Sequence, residues 1–150
     1  MLVPIADLKA SLEVFHSEAE IYPIWLCPFK LPPRPGMLKV KSDKEEMFVD
    51  VGVYGVPRND RSEQAILLAD ETHNETLFRF DAVKTTRKVE EFVRSVNGFQ
   101  MMYADSYMTK TEFRDMFDHT LYDEMRSRLK CEGNFPEVYD KVNKKARAGN

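Results

Sequence analysis

Apolar residues near the start of the chain recur every three or four positions. The series runs from Ile5 through Leu8, Leu12 and Phe15 to Ala19, and charged residues occupy the positions between them. This spacing predicts an amphipathic helix whose apolar stripe faces a core. The preceding Pro4 suits a first helical turn.

Residues 22–29 form a short apolar stretch that holds the only tryptophan of the chain, Trp25. Pro23 and Pro28 lie within it, and proline cannot donate a hydrogen bond to the ladder of a central strand. The stretch therefore predicts an edge strand or a lining strand. The pattern leaves open whether it forms the packing centre of a domain or the wall of a pocket for a large apolar ligand.

Residues 47–55 show the clearest two-residue alternation in the chain. One predicted face is aliphatic, and the other carries Phe48, Asp50, Gly52 and Tyr54. That mixed face is either a surface on which another body packs closely or a solvated face with a bulge at Gly52. We expect this strand to pair antiparallel with the strand that contains Trp25.

The second half of the chain predicts helices and one further strand. A long helix begins near Asp81, and Gly98 stands where a C-cap glycine belongs. Residues 99–107 alternate like a strand, and the spacing of Thr109 and Glu112 predicts a capping box that opens the next helix. Two more helices are predicted, over 121–129 and from Pro136, with a solvated basic end at 141–147.

The order of these elements predicts an α+β fold, with an antiparallel sheet and helices packed on it. Residues 59–76 are polar and predict an exposed loop with at most one short helix. With 150 residues, 43% of them hydrophobic, the chain is long enough for one compact domain. No stretch approaches the roughly 20 apolar residues of a membrane span.

Composition and motifs exclude several classes of function. A net charge of −3 offers no electrostatic argument for nucleic acid. No metal site is predicted, because the two cysteines lie far apart and the histidines, His16, His73 and His119, are interpreted as scattered surface residues. Cys27 is predicted to be an apolar core thiol rather than a nucleophile. A self-contained hydrolase or metalloenzyme is therefore not expected.

Aromatic residues beside polar groups are the remaining candidates for a binding site. Tyrosine can donate a proton, and a flat aromatic wall suits a rigid polycyclic ligand. Aromatic residues on strands also form cores, so the pattern alone leaves both interpretations open. The candidates are Tyr22, Trp25, Asp50, Tyr54, Arg58, Tyr103, Asp105 and Tyr107.

Six stretches of the chain are distinctive enough to be compared with known families. The most specific ones read YPIWLCPF from Tyr22 and GFQMMYADSYM from Gly98. The others are MLVP from Met1, GVYGVPR from Gly52, EFVRS from Glu91 and FPEVYDK from Phe135. Together they closely resemble the Δ24-sterol reductase family, also called the 24-dehydrocholesterol reductase or DIMINUTO/DWARF1 family. The resemblance covers nearly the whole chain, but nothing is carried over for residues 62–76.

The resemblance implies a flavoenzyme of the vanillyl-alcohol-oxidase type that reduces the C24–C25 double bond of sterol side chains. FAD would carry the hydride and NADPH would be the reductant. Residues 1–150 would be the C-terminal, substrate or cap region of a two-domain enzyme. The N-terminal FAD domain and the membrane anchor are expected to lie outside them. The full-length family is expected at the endoplasmic reticulum membrane, and the fragment alone is expected to be soluble and inactive.

The resemblance also suggests roles for individual residues. Tyr103 would be catalytic and would face both flavin and sterol, and Asp105 would share the cofactor contact. The sterol would contact Tyr22, Trp25, Tyr54, Arg58 and Tyr107. The alternative is a non-catalytic sterol-binding or interaction module derived from the same family.

Overall fold

A computed structural model of the chain describes residues 1–34, 36–39, 42–57 and 80–148. Within these ranges the chain forms three strands and six α-helices, with a 3₁₀ turn at Ile5–Asp7. In chain order the elements are β1 (Leu2–Pro4), α1 (Leu8–Glu18), β2 (Ile24–Leu31), β3 (Glu46–Val53), α2 (Ala82–Ser95), α3 (Lys110–Met116), α4 (Thr120–Arg128), α5 (Val138–Val142) and α6 (Lys144–Ala148).

The sheet is antiparallel throughout and has the strand order β1-β3-β2. The predicted pairing of β2 with β3 is confirmed, with Trp25 opposite Gly52. The prediction that β2 is an edge strand is also confirmed. Strand β1 is new, because Leu2–Pro4 was expected only to lead into a helix. It pairs with β3 and brings Leu2 opposite Asp50.

The core lies between the sheet and the helices. Val3, Phe48 and Val51 are buried on the sheet, and Phe113 and Phe117 are buried at α3. The stripe of α1 is confirmed for Phe15, which is buried, whereas Ile5 at its start is exposed. Helices packed on an antiparallel sheet confirm the α+β fold class.

Residues 99–107 are not a strand, contrary to the prediction. Phe99 makes one isolated bridge to Leu2 and Ser106 makes another to Asn143, and residues between them turn. The alternation was misleading because the segment makes only two isolated bridges, one to Leu2 of β1 and one to Asn143, and these do not form a continuous ladder. Helix α3 does begin with the predicted capping box between Thr109 and Glu112.

The end of α2 also differs from its prediction. Asn97, with φ of 56°, takes the left-handed position that was expected for Gly98. Gly98 serves close packing instead, since a Cβ there would lie 2.4 Å from the Leu2 carbonyl oxygen. That carbonyl accepts a hydrogen bond from Phe99 N at 2.8 Å, so the glycine lets the end of α2 abut β1.

Three side chains lie in environments other than those predicted. Cys27 is exposed on the edge strand rather than buried as a core thiol, because nothing described covers the middle of β2. His119 is buried rather than at the surface, and its ring packs edge-on against Tyr122. At the basic C-terminal end, Arg147 is not simply solvated but forms an ion pair with Asp105. His73 lies outside the described residues.

Candidate functional site

An open cleft lies between the end of β3, the end of α1, helix α2 and the irregular segment 100–107. Its volume is about 380 Å³. Polar groups reach it at only a few places, among them Asp50, Gln100 and Asp105. This composition suits a small, largely apolar ligand. The apolar lining comes from Phe15, Ala19, Ile21, Val51, Val53, Phe80 and Val89.

Tyr54 and Tyr103 form the exposed aromatic edge of this cleft, with 66% and 76% of their surfaces exposed. Tyr54 follows directly after β3, and Tyr103 lies in the turn of residues 101–104. Repulsion of a Tyr103 phenolate by Tyr54 and then by the Asp50 carboxylate raises the pKa of Tyr103, and a side-chain hydrogen bond with Tyr54 adds to this. Tyr103 therefore keeps its proton at neutral pH.

Tyr107 and Asp105 lie on the same wall but are engaged by the C-terminal helix. Arg147 Nη2 donates to Asp105 Oδ1 at 2.6 Å, and Lys144 Nζ donates to the Tyr107 hydroxyl at 3.2 Å. The pKa of Lys144 is raised, first by its hydrogen bond to Tyr107. Both predicted site residues therefore line the cleft with part of their polar groups already bound within the protein.

Tyr22 and Trp25 do not line the cleft. The Tyr22 hydroxyl hydrogen-bonds His16 Nδ1 near the end of α1. The centre of the Trp25 ring lies 6.4 Å from the centre of the Tyr54 ring, and Trp25 is 62% exposed. Trp25 is thus adjacent to the cleft through Tyr54. Arg58, the remaining predicted site residue, lies outside the described residues.

Sequence reasoning missed Gln100 and Glu90. Gln100 is 6% exposed, lines the cleft, and donates from Nε2 to the Asp105 carbonyl at 2.9 Å. Glu90, with no exposed surface, accepts from Tyr107 N at 2.8 Å. One signal could have revealed Glu90: it lies three residues before Val93, on the apolar side of α2.

The fold and the cleft define an α+β polypeptide with an aromatic-edged, largely apolar cleft. Neither a protein-family model nor a solved structure matches the chain. Curated relatives do. A Delta(24)-sterol reductase homologue from Caenorhabditis elegans is 47% identical over 147 residues, covering 98% of this chain and 25% of the relative.

The same relationship extends to mammals and plants. The Delta(24)-sterol reductase of Rattus norvegicus is 46% identical over 98% of this chain and 25% of its own length. That of Arabidopsis thaliana is 35% identical over 96% of this chain and 26% of its own length. Over nearly its whole length, the chain is similar to one part of these Δ24-sterol reductases, which confirms the resemblance. It spans about a quarter of the length of these relatives.

The comparisons assign no role to individual residues, whereas the structure shows which of them lie close together. Of the predicted site residues, Tyr54, Tyr103, Asp105 and Tyr107 come together around one cleft. Among the described residues, no group of three or more His, Cys, Asp or Glu side chains is arranged to hold a metal ion. No helix in the described ranges is long and apolar enough to cross a membrane.

Proposed function

We propose that the chain is the C-terminal, substrate-facing part of a Δ24-sterol reductase, which reduces the C24–C25 double bond of a sterol side chain. The observation that carries the proposal is the 44–47% identity to animal Delta(24)-sterol reductases over 98% of the chain. The cleft supports it, since an apolar lining with few polar groups is suited to a sterol.

The proposal divides the work between this chain and a longer polypeptide. FAD, bound mainly by an N-terminal domain, would supply the hydride, and NADPH would be the reductant. Tyr103 fits a contact with a planar ring, because it is exposed at the cleft edge. Asp105 fits less well, because Arg147 and Lys144 already contact its two carboxylate oxygens. The full-length enzyme would lie at the endoplasmic reticulum membrane.

Within this chain the proposed roles are binding, orientation and proton supply. The apolar wall would hold the sterol and exclude water from it. Tyr103 would donate the proton that the alkene carbon requires, because it is protonated at neutral pH and lies at the edge of the cleft. Tyr54 and Asp50 would orient the phenol, and Tyr107 would contact the sterol from the same wall.

A replacement experiment tests the proposal in a working enzyme. The quarter of the Rattus norvegicus reductase that matches this chain is exchanged for residues 1–150, and reduction of a sterol with a C24–C25 double bond is measured. We expect the hybrid to reduce the sterol and to retain its flavin absorbance. A hybrid that folds and binds flavin yet leaves the double bond intact would contradict the proposal.

A second proposal from the same family is a non-catalytic sterol-binding or interaction module. It is supported by the ion pairs of Asp105 with Lys144 and Arg147, which already occupy both of its carboxylate oxygens. Titrating the isolated chain with sterol distinguishes the two. Saturable sterol binding combined with an inactive hybrid favours the module, whereas an active hybrid favours the reductase.

A further inference from the structure

One glutamate carboxylate in the middle of α2 is wholly buried. Glu90 has no exposed surface, and it lies between the buried residues Val89 and Val93. A buried carboxylate requires charged or hydrogen-bonding partners to offset its loss of hydration. The identity of those partners shows what the residue does.

The partners of Glu90 come from the segment that lines the cleft. Its Oε1 accepts hydrogen bonds from Tyr107 N at 2.8 Å and from Ser106 Oγ at 3.1 Å. The Ser106 hydroxyl oxygen in turn accepts from Met108 N at 3.2 Å. Since Tyr107 and Met108 belong to no strand or helix, Glu90 and Ser106 provide acceptors that a regular ladder would otherwise supply.

Arg87, one turn earlier on the same helix, binds the carbonyl group of Tyr107. Its Nη1 donates to the Tyr107 carbonyl at 3.3 Å and to Glu90 Oε2 at 3.4 Å. Arg87 also donates to Glu112, from Nη1 to Oε2 at 2.8 Å and from Nη2 to Oε1 at 2.6 Å. The N–H and the carbonyl of Tyr107 are therefore both held by α2, and α3 is joined to the same cluster through Glu112.

This arrangement fixes one end of the cleft wall. Tyr103, Asp105 and Tyr107 all line the cleft, and they lie on irregular backbone. The Gln100 side chain holds the middle of the segment through the Asp105 carbonyl. The hydrogen bonds from Glu90 and Arg87 to the backbone of Tyr107, here called the clamp, hold the end of the segment. The position of the cleft wall therefore depends on the Glu90–Arg87 ion pair, which lies outside the cleft lining.

We propose that Glu90 and Arg87 are positioning residues that set the cleft wall for its ligand. The proposal rests on the proposed function, in which that ligand is a sterol. Glu90 would not touch the sterol. It would act through the backbone of Tyr107, and its loss would weaken ligand binding while leaving the fold in place.

The electrostatics of the cluster give this role a distinctive pH dependence. Burial above all raises the pKa of Glu90 from 4.5, against the opposing effects of Tyr107 N–H, Ser106 and Arg87. The facing charged groups are Arg87 and, beyond it, Glu112, whose pKa is lowered to about 2. On acidification, Glu90 therefore takes up a proton before Glu112 does.

Protonation of Glu90 has opposite effects on folding and on binding. Because the folded-state pKa is raised, its contribution to stability is greatest below 4.5 and is lost as the pH rises through the folded value. A neutral carboxyl, however, is a weaker acceptor for Tyr107 N–H and for Arg87. We therefore expect sterol affinity to fall on acidification while this contribution to stability rises. A purely structural role would move both together.

The test uses the full chain with Glu90→Gln and, as the matched control, Glu91→Gln, which alters an exposed carboxylate on the same helix. The probe is a sterol with a C24–C25 double bond in cyclodextrin, and Trp25 fluorescence reports binding. We expect E90Q to bind about tenfold more weakly, with a flat profile between neutral pH and 4.5. E91Q should bind like the unmodified chain. Amide exchange should quicken at 105–108 in E90Q and stay unchanged in β3.

Several outcomes would overturn the proposal. E90Q could bind the sterol with unchanged affinity and pH profile, or exchange could quicken throughout the chain in step with the loss of binding. If E90Q does not fold, Arg87→Lys decides, because it keeps the charge but loses the fork that spans Tyr107 and Glu112; unchanged binding by R87K would refute the clamp. A failure of the unmodified chain to bind sterol would instead remove the sterol-binding module. The hybrid reductase would still test the proposed function, and amide exchange would still show whether Glu90 holds Tyr107.

Discussion

At the scale of single residues, Tyr103 and Tyr22 show how different two predicted tyrosines are once their surroundings are known. Both were expected to contact ligand. Tyr103 is at the cleft edge beside Tyr54 and Asp50, whereas the Tyr22 hydroxyl is bound to His16 and lies outside the lining. Both tyrosines were predicted from residue type and family motif. Of the two, only Tyr103 reaches the cleft, because the turn of residues 101–104 places it there.

This difference makes a matched pair of variants possible. In the hybrid reductase, we expect Tyr103→Phe to lower kcat by about 100-fold or more, because it removes the proposed proton donor. Tyr22→Phe should change kcat less than about twofold, since its hydroxyl does not reach the cleft. Steady-state sterol reduction measures both. Equal effects of the two variants, or full activity in Y103F, would remove the donor role from Tyr103.

Glu112 contributes to the response of the fold to acid. Its hydrogen bonds from Arg87, above all, lower its pKa from 4.5 to about 2. A lowered folded-state pKa gives stability that is present above 4.5 and is lost as the pH falls towards 2. Arg87 and Thr109 both depend on this carboxylate, so the loss loosens the junction of α2 and α3.

We therefore expect the free energy of unfolding to fall between pH 4.5 and 2 by about 1–2 kcal/mol through Glu112, after allowance for solvent screening. Urea denaturation across this range measures it. Glu112→Gln should show a smaller change over the same range, and the exposed Glu91→Gln should follow the unmodified chain. An acid response in E112Q as large as that of the unmodified chain would show that other carboxylates are responsible.

At the scale of elements, the sequence predicted those whose signals are local. The stripe of α1 and the capping box of α3 follow from spacing over a few residues. The pairing of β2 with β3 was expected because the two strands follow one another along the chain. Strand β1 was not predictable in this way, because three residues carry no period and their partner lies some 45 positions away in β3. The prediction for residues 99–107 failed for the opposite reason: they alternate, yet only Phe99 bridges a strand, at Leu2 of β1.

The candidate site shows the same division. Motif and residue type pointed to Tyr54, Tyr103 and Tyr107, which do share the cleft. They could not reveal that Glu90, which lies on α2 and 17 positions earlier in the chain, holds the backbone of Tyr107. A glutamate on an apolar stripe indicates a buried partner, but the identity of that partner is a property of the tertiary structure.

Gly98 offers a direct test of the contact between α2 and β1. A Cβ at this position would lie 2.4 Å from the Leu2 carbonyl oxygen and 2.9 Å from a Val93 methyl. We expect Gly98→Ala to destabilise the fold by about 3 kcal/mol, because backbone atoms cannot yield as side chains do. Gly36→Ala is the control, since its Cβ would meet nothing within 4 Å. Urea midpoints compare them, and a G98A value equal to that of G36A would contradict the close approach.

At the scale of the whole molecule, exposed apolar side chains are concentrated along one edge of the described sheet. The middle of β2 is exposed on both faces, from Trp25 to Pro28, and β2 has no partner on its outer side within the described sheet. Tyr54 and Val56 continue this apolar surface, with 66% and 77% of their areas exposed. Exposed apolar strand edges promote association. In the proposed reductase this surface would be covered by the remainder of the polypeptide.

In the isolated chain the same surface should cause self-association, and Trp25 is the residue that tests it. We expect Trp25→Lys to lower the weight-average mass at high protein concentration by at least about twofold, because a charge on an edge strand opposes pairing. Leu129→Lys is the control, since Leu129 is exposed to a similar extent, 67% against 62%, but follows α4. Sedimentation equilibrium measures both. If L129K reduced association as much as W25K, general apolar exposure rather than the edge of β2 would be the cause. If neither variant changed the mass, the edge would not mediate association at all.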